Sequence, residues 1–230
     1  MRRHLYALRD DPASLPEGHR TTYGGALEVL LDHPVLVGWA NEFLAHPYVA
    51  GEQCYGFRCE MSFSGLRSAM DEPKAPAIFS PHNGSGVFRM PGVAHTYHAM
   101  PGKAHAGLAR AIWELNPVTL GDGGTLFISG SHKCAFDTPA AAADPTSSLW
   151  DSYECPAGSL VLFSEATSHS GQPWTNSERD RCAVFNAYNA VNTRWSMAKP
   201  SQIQLEAMPA QRATLFREAY TKGNVVHPNL

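Results

Sequence analysis

Long apolar runs and clusters of basic residues are both missing from this sequence. No 18 consecutive residues are apolar, the length that a membrane-spanning helix needs. Charge returns near the N-terminus before any apolar stretch as long as that of a signal peptide. The 18 Lys and Arg are outnumbered by 21 Asp and Glu, for a net charge of −3, and offer nucleic acid or an anionic membrane no positive surface. We therefore expect a cytoplasmic protein that binds neither.

Cysteine is scarce and scattered, and several metal motifs are absent. The five cysteines include no Cys-x-x-Cys pair, so we expect reduced thiols instead of a disulfide framework or a zinc site. Neither His-Glu-x-x-His nor Glu-x-x-His occurs, which argues against a zinc protease of that type and a helical di-iron site. The 230 residues show no repeat, linker or shift in composition, and they predict a single domain over residues 1–230.

Two segments have helical periodicity, and the chain between them has the character of β structure. Apolar residues recur at helical spacing over Gly24–Leu44, where Pro34 is expected to separate two helices, and over Ser201–Thr221, which Pro209 interrupts. Short runs rich in β-branched and aromatic residues predict strands. These runs are Gln53–Ser64, Ala77–Ser80, Gly107–Leu115, Gly124–Ser129, Ser159–Ser164 and Arg181–Val191. The pattern predicts a mainly β sandwich, barrel or jelly roll with flanking α-helices.

Eleven histidines raise the question of a metal site. A non-haem iron site commonly uses two His and one carboxylate and leaves other positions open. In a jelly roll, one His and the carboxylate often form His-x-Asp or His-x-Glu, which the two-residue period of a strand points to one side. No histidine of this chain has Asp or Glu two residues later. Three have Gly there instead: His82, His105 and His169.

Four segments of the second half carry a more specific pattern. They are Asp122–Lys133, Ala157–Phe163, Thr167–Pro173 and Arg181–Val184. The first contains GG…ISGSHK and resembles the "GG…IPGSHK" stretch of the phytanoyl-CoA dioxygenase family, with Ser129 where that family usually has Pro. The next two look like the family's distal-histidine segment, and the last looks like the strand whose arginine holds 2-oxoglutarate. The resemblance covers residues 50–195 approximately.

The resemblance implies a double-stranded β-helix, or cupin-like jelly roll, that uses iron(II), 2-oxoglutarate and O2 on an aliphatic C–H bond of a small molecule. His169 takes the position of the distal iron ligand. Arg181 takes that of the arginine whose planar fork pairs with a carboxylate of 2-oxoglutarate, and Arg179 is the competing candidate. Trp113, on a predicted central strand, is either a core residue or a wall of the cofactor pocket.

The proximal histidine has three candidates. His82 follows an extended run and precedes a long loop before the next strand, which is the order in the family, and His98 and His105 are the alternatives. With His82 as the ligand, Gly84 takes the place of the carboxylate. The chain departs there from the hydroxylase pattern, because glycine leaves a coordination position open and removes one negative charge.

Three functions follow from this departure. Chloride can supply both a ligand and the missing charge, as in the iron- and 2-oxoglutarate-dependent halogenases of the same superfamily, and halogenation at the open Gly84 position is the first hypothesis. Hydroxylation is the second, with water or a carboxylate such as Glu60, Asp71 or Glu72 as the third ligand. The third is a catalytically inactive jelly roll that binds a small molecule.

Candidates for substrate contact follow the proximal motif or the distal histidine: His98, His105, Arg110 and Trp174. A cluster of Arg and His suits an anionic or polar substrate. His132, in the GSHK stretch, is instead expected to be structural and to hydrogen-bond the backbone in the turn after a strand.

Overall fold

The largest sheet in the described part of the chain has four antiparallel strands. The computed structural model describes residues 1–45, 50–70, 78–83, 97–134, 139–194 and 196–219. Its strands in chain order are β1 (Phe57–Ser64), β2 (Tyr97–Met100), β3 (Lys103–Ala106), β4 (Leu108–Glu114), β5 (Leu126–Phe127), β6 (Ser159–Ser164), β7 (His169–Ser170) and β8 (Ala183–Ala190). The main sheet has the order β1-β8-β4-β6, and β2 and β3 form a separate hairpin.

A second layer consists of short strands and single bridges. β5 pairs with β7, Phe127 also lies opposite Asp151, and His82 pairs with His169. The ring centroid of Phe163, on the main sheet, is 4.8 Å from that of Phe127 and 4.9 Å from that of His169. The inner faces of the two layers therefore meet. This arrangement confirms the predicted mainly β class and the double-stranded β-helix.

Helices flank the sheets. They are α1 (Arg2–Asp10), α2 (Pro34–Phe43), α3 (Gln202–Ala207) and α4 (Ala210–Ala213), with 3-10 turns at Pro12–Ser14, Glu17–His19, Gly25–Leu30, Ser131–Lys133, Ala140–Ala143 and Thr214–Phe216. The predicted break at Pro34 is confirmed, because α2 begins there and the His33 side chain accepts a hydrogen bond from the Val35 amide. The side chains of Asn186 and Tyr188, on β8, donate to carbonyls of the segment before α2, which fixes that segment on the outer face.

Strand β4 separates the helix-side core from the space between the layers. Ala109, Ala111 and Trp113 belong to the main hydrophobic core, which includes residues of the helical segments. Arg110 and Glu114 point to the other side, as the period of two requires. Since they are four residues apart on one strand, their Cα atoms lie roughly 13 Å from each other. One strand thus carries a positive and a negative side chain to two separate points of the inner space.

The predicted strands at Gly107–Leu115 and Ser159–Ser164 are confirmed, whereas Ile78–Ser80 forms no strand. The β2–β3 hairpin and helix α1 were not predicted. No helix within the described ranges is long and apolar enough to cross a membrane. All five cysteines are free thiols.

Candidate metal centre

His82 and His169 face each other across a single antiparallel bridge. The backbone N–H of each residue donates to the carbonyl of the other, over 3.1 and 3.0 Å. Directly opposed residues of such a bridge point to the same side, which brings the two ring centroids to 4.1 Å. The structure therefore brings the two predicted ligands together. His98 and His105 lie opposite each other in the β2–β3 hairpin instead.

Both imidazole rings are oriented by backbone carbonyls. Nδ1 of His82 is 2.7 Å from the carbonyl oxygen of Ser80, and Nδ1 of His169 is 2.8 Å from that of Thr167. Because a carbonyl only accepts, each Nδ1 carries a proton, which leaves Nε2 as the ring nitrogen available to a metal. This tautomer binds metals through Nε2 while a backbone carbonyl holds the ring.

A carboxylate that the sequence analysis missed lies beside both rings. Glu165 is 1% exposed, and its Oε1 is 3.5 Å from Nε2 of His169 and 3.8 Å from Nε2 of His82. In the part of the chain that the structure describes, these three residues form the one cluster of metal-ligand type, with ligand atoms within 4.8 Å of one another. The signal in the sequence is a Glu-x-x-x-His spacing across the turn between β6 and β7.

The carboxylates considered from the sequence are not part of this cluster. Glu60 lies on β1 beside Arg58, whose Nη1 is 3.5 Å from its Oε2, and it also accepts a hydrogen bond from Asn189. Three residues of the earlier hypotheses lie outside the described residues: Asp71, Glu72 and Gly84. The open position predicted at Gly84 therefore stays a prediction.

Arg110 holds Glu165 by two parallel hydrogen bonds. Its Nε and Nη2 donate to Oε2 and Oε1, each over 3.0 Å, and its guanidinium carbon lies 5.7 Å from the ring centroid of Phe63. Burial alone would raise the pKa of Glu165, but the charges of Arg110 and His169 outweigh it and hold that pKa well below its usual range. Arg110 was predicted to contact the substrate. Its Nε and Nη2 are engaged by Glu165, and the substrate contact stays a prediction.

Arg181 lies at the far end of the same inner face and is held by Glu114. Its Nη2 donates to Glu114 Oε1 over 2.5 Å, to Tyr153 Oη over 2.9 Å and to Thr125 Oγ1 over 3.2 Å. Tyr153 donates in turn to Glu114 over 2.6 Å. Burial alone would lower the pKa of Arg181, but Tyr153 and Glu114 reverse the direction and raise it. Among the described residues, Nη1 of Arg181 has no hydrogen-bond partner.

Arg179, the competing candidate for the cofactor, has a different environment. It pairs with Asp122, whose Oδ2 is 2.5 Å from Nη2, in a loop where the Trp174 indole donates to its backbone carbonyl over 2.7 Å. Gly123 is required next to this loop, because a Cβ at its φ of +104° would lie 1.9 Å from the Pro173 carbonyl oxygen. The glycine of the GG motif thus has a packing role, and Arg179 does not line the inner cavity.

A cavity of about 140 Å³ joins the histidines to Arg181. Its polar lining consists of Arg67, His82, Arg110, Thr125, His169, Ser170 and Arg181, and its aromatic lining of Phe63, Phe163 and Phe185. A second cavity, of about 680 Å³, shares Phe163 with the first, and its lining combines aromatic and aliphatic side chains with polar ones such as His132, Asp151 and Glu154. Phe163 thus lies between the candidate centre and the larger space.

Comparison with known proteins identifies the group to which this arrangement belongs. Residues 26–183 match the family model of phytanoyl-CoA dioxygenase (PhyH). The chain belongs to the phytanoyl-CoA dioxygenase family. Dioxygenase af480 of Aspergillus fumigatus is 30% identical over 110 residues, which are 45% of this chain and 34% of that protein. The match thus spans about a third of the length of this relative.

Solved structures share the family fold. HygX from Streptomyces hygroscopicus, in a crystal structure with nickel and 2-oxoglutarate bound, superposes with a TM-score of 0.58 at 16% identity, over 87% of this chain and 84% of HygX. The apo crystal structure of HygX gives a TM-score of 0.59 at 19% identity, over 85% of this chain and 78% of HygX. At these identities the likeness shows a shared fold.

Other predicted residues of this family member lie away from the small cavity. Trp113 packs into the helix-side core with its ring 5.1 Å from that of His33. The prediction that Trp113 binds the cofactor was wrong, because the alternation of β4 turns it to the opposite face from Arg110. Trp174, predicted to contact the substrate, is 1% exposed and is bonded within its own loop. His132 packs edge-on against Tyr97 at 4.6 Å and lines the larger cavity.

Proposed function

We propose that this protein is an iron(II)- and 2-oxoglutarate-dependent oxygenase that oxidises an aliphatic C–H bond of a small molecule. The observation that carries the proposal is the convergence of two oriented imidazoles, His82 and His169, in one cavity with Arg181. Membership in the phytanoyl-CoA dioxygenase family supports it. The nickel and 2-oxoglutarate bound by HygX, which has the same fold, agree with it.

The donor chemistry of the site fits this metal. Imidazole nitrogens and a carboxylate oxygen are the ligands of mononuclear non-haem iron, whereas thiolates select zinc, copper(I) or iron–sulfur clusters. None of the five cysteines belongs to the cluster. Bound iron and 2-oxoglutarate together would supply the activation of O2, which couples substrate oxidation to the conversion of 2-oxoglutarate to succinate and CO2.

The residues of the chain have separate tasks in this proposal. His82 and His169 hold the metal through Nε2, and their Nδ1 protons stay on backbone carbonyls. Nη1 of Arg181 and the hydroxyl of Thr125 receive a carboxylate of 2-oxoglutarate, since a hydroxyl that accepts from Nη2 still has its own proton to donate. Phe163 and the stacked rings of Phe63 and Phe185, 5.0 Å apart, form the aromatic wall of the cavity.

The test is anaerobic loading of the purified protein with iron(II) and 2-oxoglutarate. We expect a metal-to-ligand charge-transfer band that requires both components, and succinate once O2 and a substrate are supplied. A protein that binds neither metal nor 2-oxoglutarate would contradict the proposal and would favour an inactive small-molecule binder on the same fold.

Halogenation is the second candidate, and the sequence His82-Asn83-Gly84 favours it. A glycine two residues after the proximal histidine leaves room for chloride on the metal. Glu165 competes with this hypothesis, because a carboxylate already lies beside both imidazoles. Titration of the anaerobic complex with chloride separates the two functions: a saturable shift of the charge-transfer band supports halogenation, and an unchanged band supports hydroxylation.

The larger cavity is the proposed substrate site. Trp39, Phe43, Tyr97 and Phe127 line it, and it meets the small cavity at Phe163. This lining suits a substrate with an extended apolar portion. It shifts the expectation away from the anionic substrate inferred from the arginines and histidines, because Asp151 and Glu154 line this space and Arg110 does not.

A further inference from the structure

We infer that Glu165 is the carboxylate ligand of the metal centre and that Arg110 positions it. The inference rests on the proposed metal-dependent function and deepens it. In this inference a carboxylate from the turn before the distal histidine takes the place of the missing Asp of a His-x-Asp pair. The third protein ligand then lies four residues before His169 and is positioned by Arg110, instead of lying two residues after His82.

The separations in the cluster are close to those of a shared metal ion. Two ligand atoms, each roughly 2.1 Å from one metal, lie roughly 3.0 to 3.4 Å apart for angles between 90° and 109°. Glu165 Oε1 is 3.5 Å from Nε2 of His169 and 3.8 Å from Nε2 of His82. Both separations exceed these values by tenths of an ångström, within the freedom of a glutamate side chain, and all three ligand atoms lie within 4.8 Å of one another.

The donor atoms of the cluster converge on one point. Each Nδ1 lies against a backbone carbonyl, so Nε2 is the nitrogen of each ring that faces Glu165 Oε1. An ion placed between them would meet two imidazole nitrogens and one carboxylate oxygen, the donor set of mononuclear non-haem iron. Arg110 compensates the carboxylate from the other side, but it does not lie between Oε1 and the rings, because it binds along the edge of the carboxylate.

Arg110 leaves Glu165 able to bind a metal. Each carboxylate oxygen has two acceptor sites, so Oε1 can accept from Nη2 of Arg110 and coordinate an ion at the same time. The arginine itself is fixed by its place on β4 and by Met61, whose Sδ is 3.4 Å from Nη1. The Glu165 amide donates to the Leu108 carbonyl over 2.9 Å, which ties the turn to the beginning of the same strand. Backbone and side chain of Glu165 are thus both positioned by β4.

The primary test is a calorimetric titration with nickel(II) in the absence of 2-oxoglutarate. We expect one site in the wild-type protein and an affinity at least roughly a hundredfold lower in Glu165→Gln, because the variant loses an anionic ligand and keeps the shape of the side chain. Glu60→Gln is the matched control: Glu60 is similarly buried and lies beside an arginine, and it should keep wild-type affinity.

A second variant covers the case in which Glu165→Gln does not fold. In Arg110→Gln the buried carboxylate loses its counter-ion, and a bound metal becomes its remaining positive partner. We expect nickel(II) to raise the melting temperature of Arg110→Gln more than that of the wild type, and the extra rise to vanish in Arg110→Gln/Glu165→Gln. Equal rises in all three proteins would mean that the pair is structural.

The outcomes separate the inference from the proposed function. A wild-type protein that binds no metal overturns both. A wild-type protein that binds nickel(II), with Glu165→Gln at the same affinity, overturns the role of Glu165 alone and returns the third position to water or chloride. A loss in both Glu165→Gln and Glu60→Gln also contradicts the inference, because the effect would then follow from removing any buried carboxylate.

Discussion

Two arginine–glutamate pairs lie buried on the inner face of this protein, and β4 contributes one member to each. Arg110 of β4 binds Glu165 through two hydrogen bonds of 3.0 Å. Glu114 of β4 binds Arg181, and its Oε1 accepts from Nε and Nη2 of Arg181 and from Tyr153. The ionic chemistry of the two pairs is the same, but their surroundings differ.

The difference shows which group of each pair can still bind a ligand, and whether that ligand is a cation or an anion. In the first pair, Oε1 of Glu165 accepts a hydrogen bond from Arg110 and also faces Nε2 of both imidazoles. In the second pair, Oε1 of Glu114 accepts three hydrogen bonds, and Arg181 keeps one nitrogen, Nη1, without a partner among the described residues. The first pair is therefore suited to a cation and the second to an anion, at opposite ends of one cavity.

The largest effect is expected from removing a histidine of the candidate metal centre. His169→Ala should abolish stoichiometric binding of iron(II), because one of two imidazole donors is lost and the bridge to His82 no longer presents a pair. Metal content after anaerobic loading and desalting is the measurement. His132→Ala is the control, since His132 lies outside the cluster, and unaltered stoichiometry in His169→Ala would remove His169 from the site.

Breaking the pair of Glu114 and Arg181 should cost stability. Glu114→Gln leaves Arg181 buried without its counter-ion, and the side chains are only 1% and 0% exposed, so the free energy of unfolding should fall by about 3–5 kcal/mol. Urea denaturation measures it. Glu218→Gln, at a partly exposed pair with Arg194, should change stability by less than about 1 kcal/mol. Equal effects of the two substitutions would show that Glu114 is not essential to Arg181.

The proposed binding of 2-oxoglutarate by Arg181 can be tested without breaking its pair with Glu114. Arg181→Lys keeps a positive charge beside Glu114 but loses the guanidinium fork and with it Nη1. We expect 2-oxoglutarate to bind roughly tenfold to a hundredfold more weakly, measured from the charge-transfer band of the iron complex. Arg179→Lys is the matched control in the neighbouring loop. An unchanged affinity in Arg181→Lys, with a loss in Arg179→Lys, would reverse the assignment of the two arginines.

A third pair, Arg179 with Asp122, extends the comparison to a partly exposed site and should give the smallest effect. Burial alone would raise the pKa of Asp122, but hydrogen bonds from Asn176, Thr119 and Arg179 lower it below 3.8. The ionised carboxylate thus stabilises the fold above about pH 4, and this contribution is lost as the pH falls through the folded-state pKa.

Asp122→Asn measures that contribution. The difference in unfolding free energy between wild type and variant should be below about 1 kcal/mol near neutral pH and should shrink as the pH falls below about 4. Urea denaturation at a series of pH values provides the measurement. A difference that grows toward acid pH would mean that Asp122 is not stabilised as a carboxylate.

The local sequence predicted an element or a site residue where one segment contains all the residues that specify it. The strand at Ser159–Ser164 and the helix that begins at Pro34 follow from side-chain periodicity and from the fixed φ of proline. His169 and Arg181 were chosen from segments that resemble a family, and they lie in the same cavity. Helix α1 was not predicted, because charged residues interrupt the apolar periodicity of its short buried face. Leu5 on that face is fully buried.

The sequence predicted the type of an element better than the direction in which its side chains point. An alternating strand has two faces, and β4 is buried on both, so nothing local tells whether Trp113 or its neighbours Arg110 and Glu114 face the cavity. The helices on the outer side of the main sheet decided it, since their apolar residues surround Trp113. Trp174 was misplaced for a related reason, because its loop packs against Gly123, a residue distant in the sequence.

By itself, the sequence determined the fold class, the family segments and two of the candidate ligands, because each is encoded by residues that are neighbours along the chain. Only the tertiary structure decided the third. Glu165 is a candidate metal ligand because the antiparallel bridge places His82 beside His169. Arg110, 55 residues away in the sequence, holds the carboxylate of Glu165 near both rings. Such a juxtaposition depends on the pairing of distant strands, and the spacing of residues along one segment does not record it.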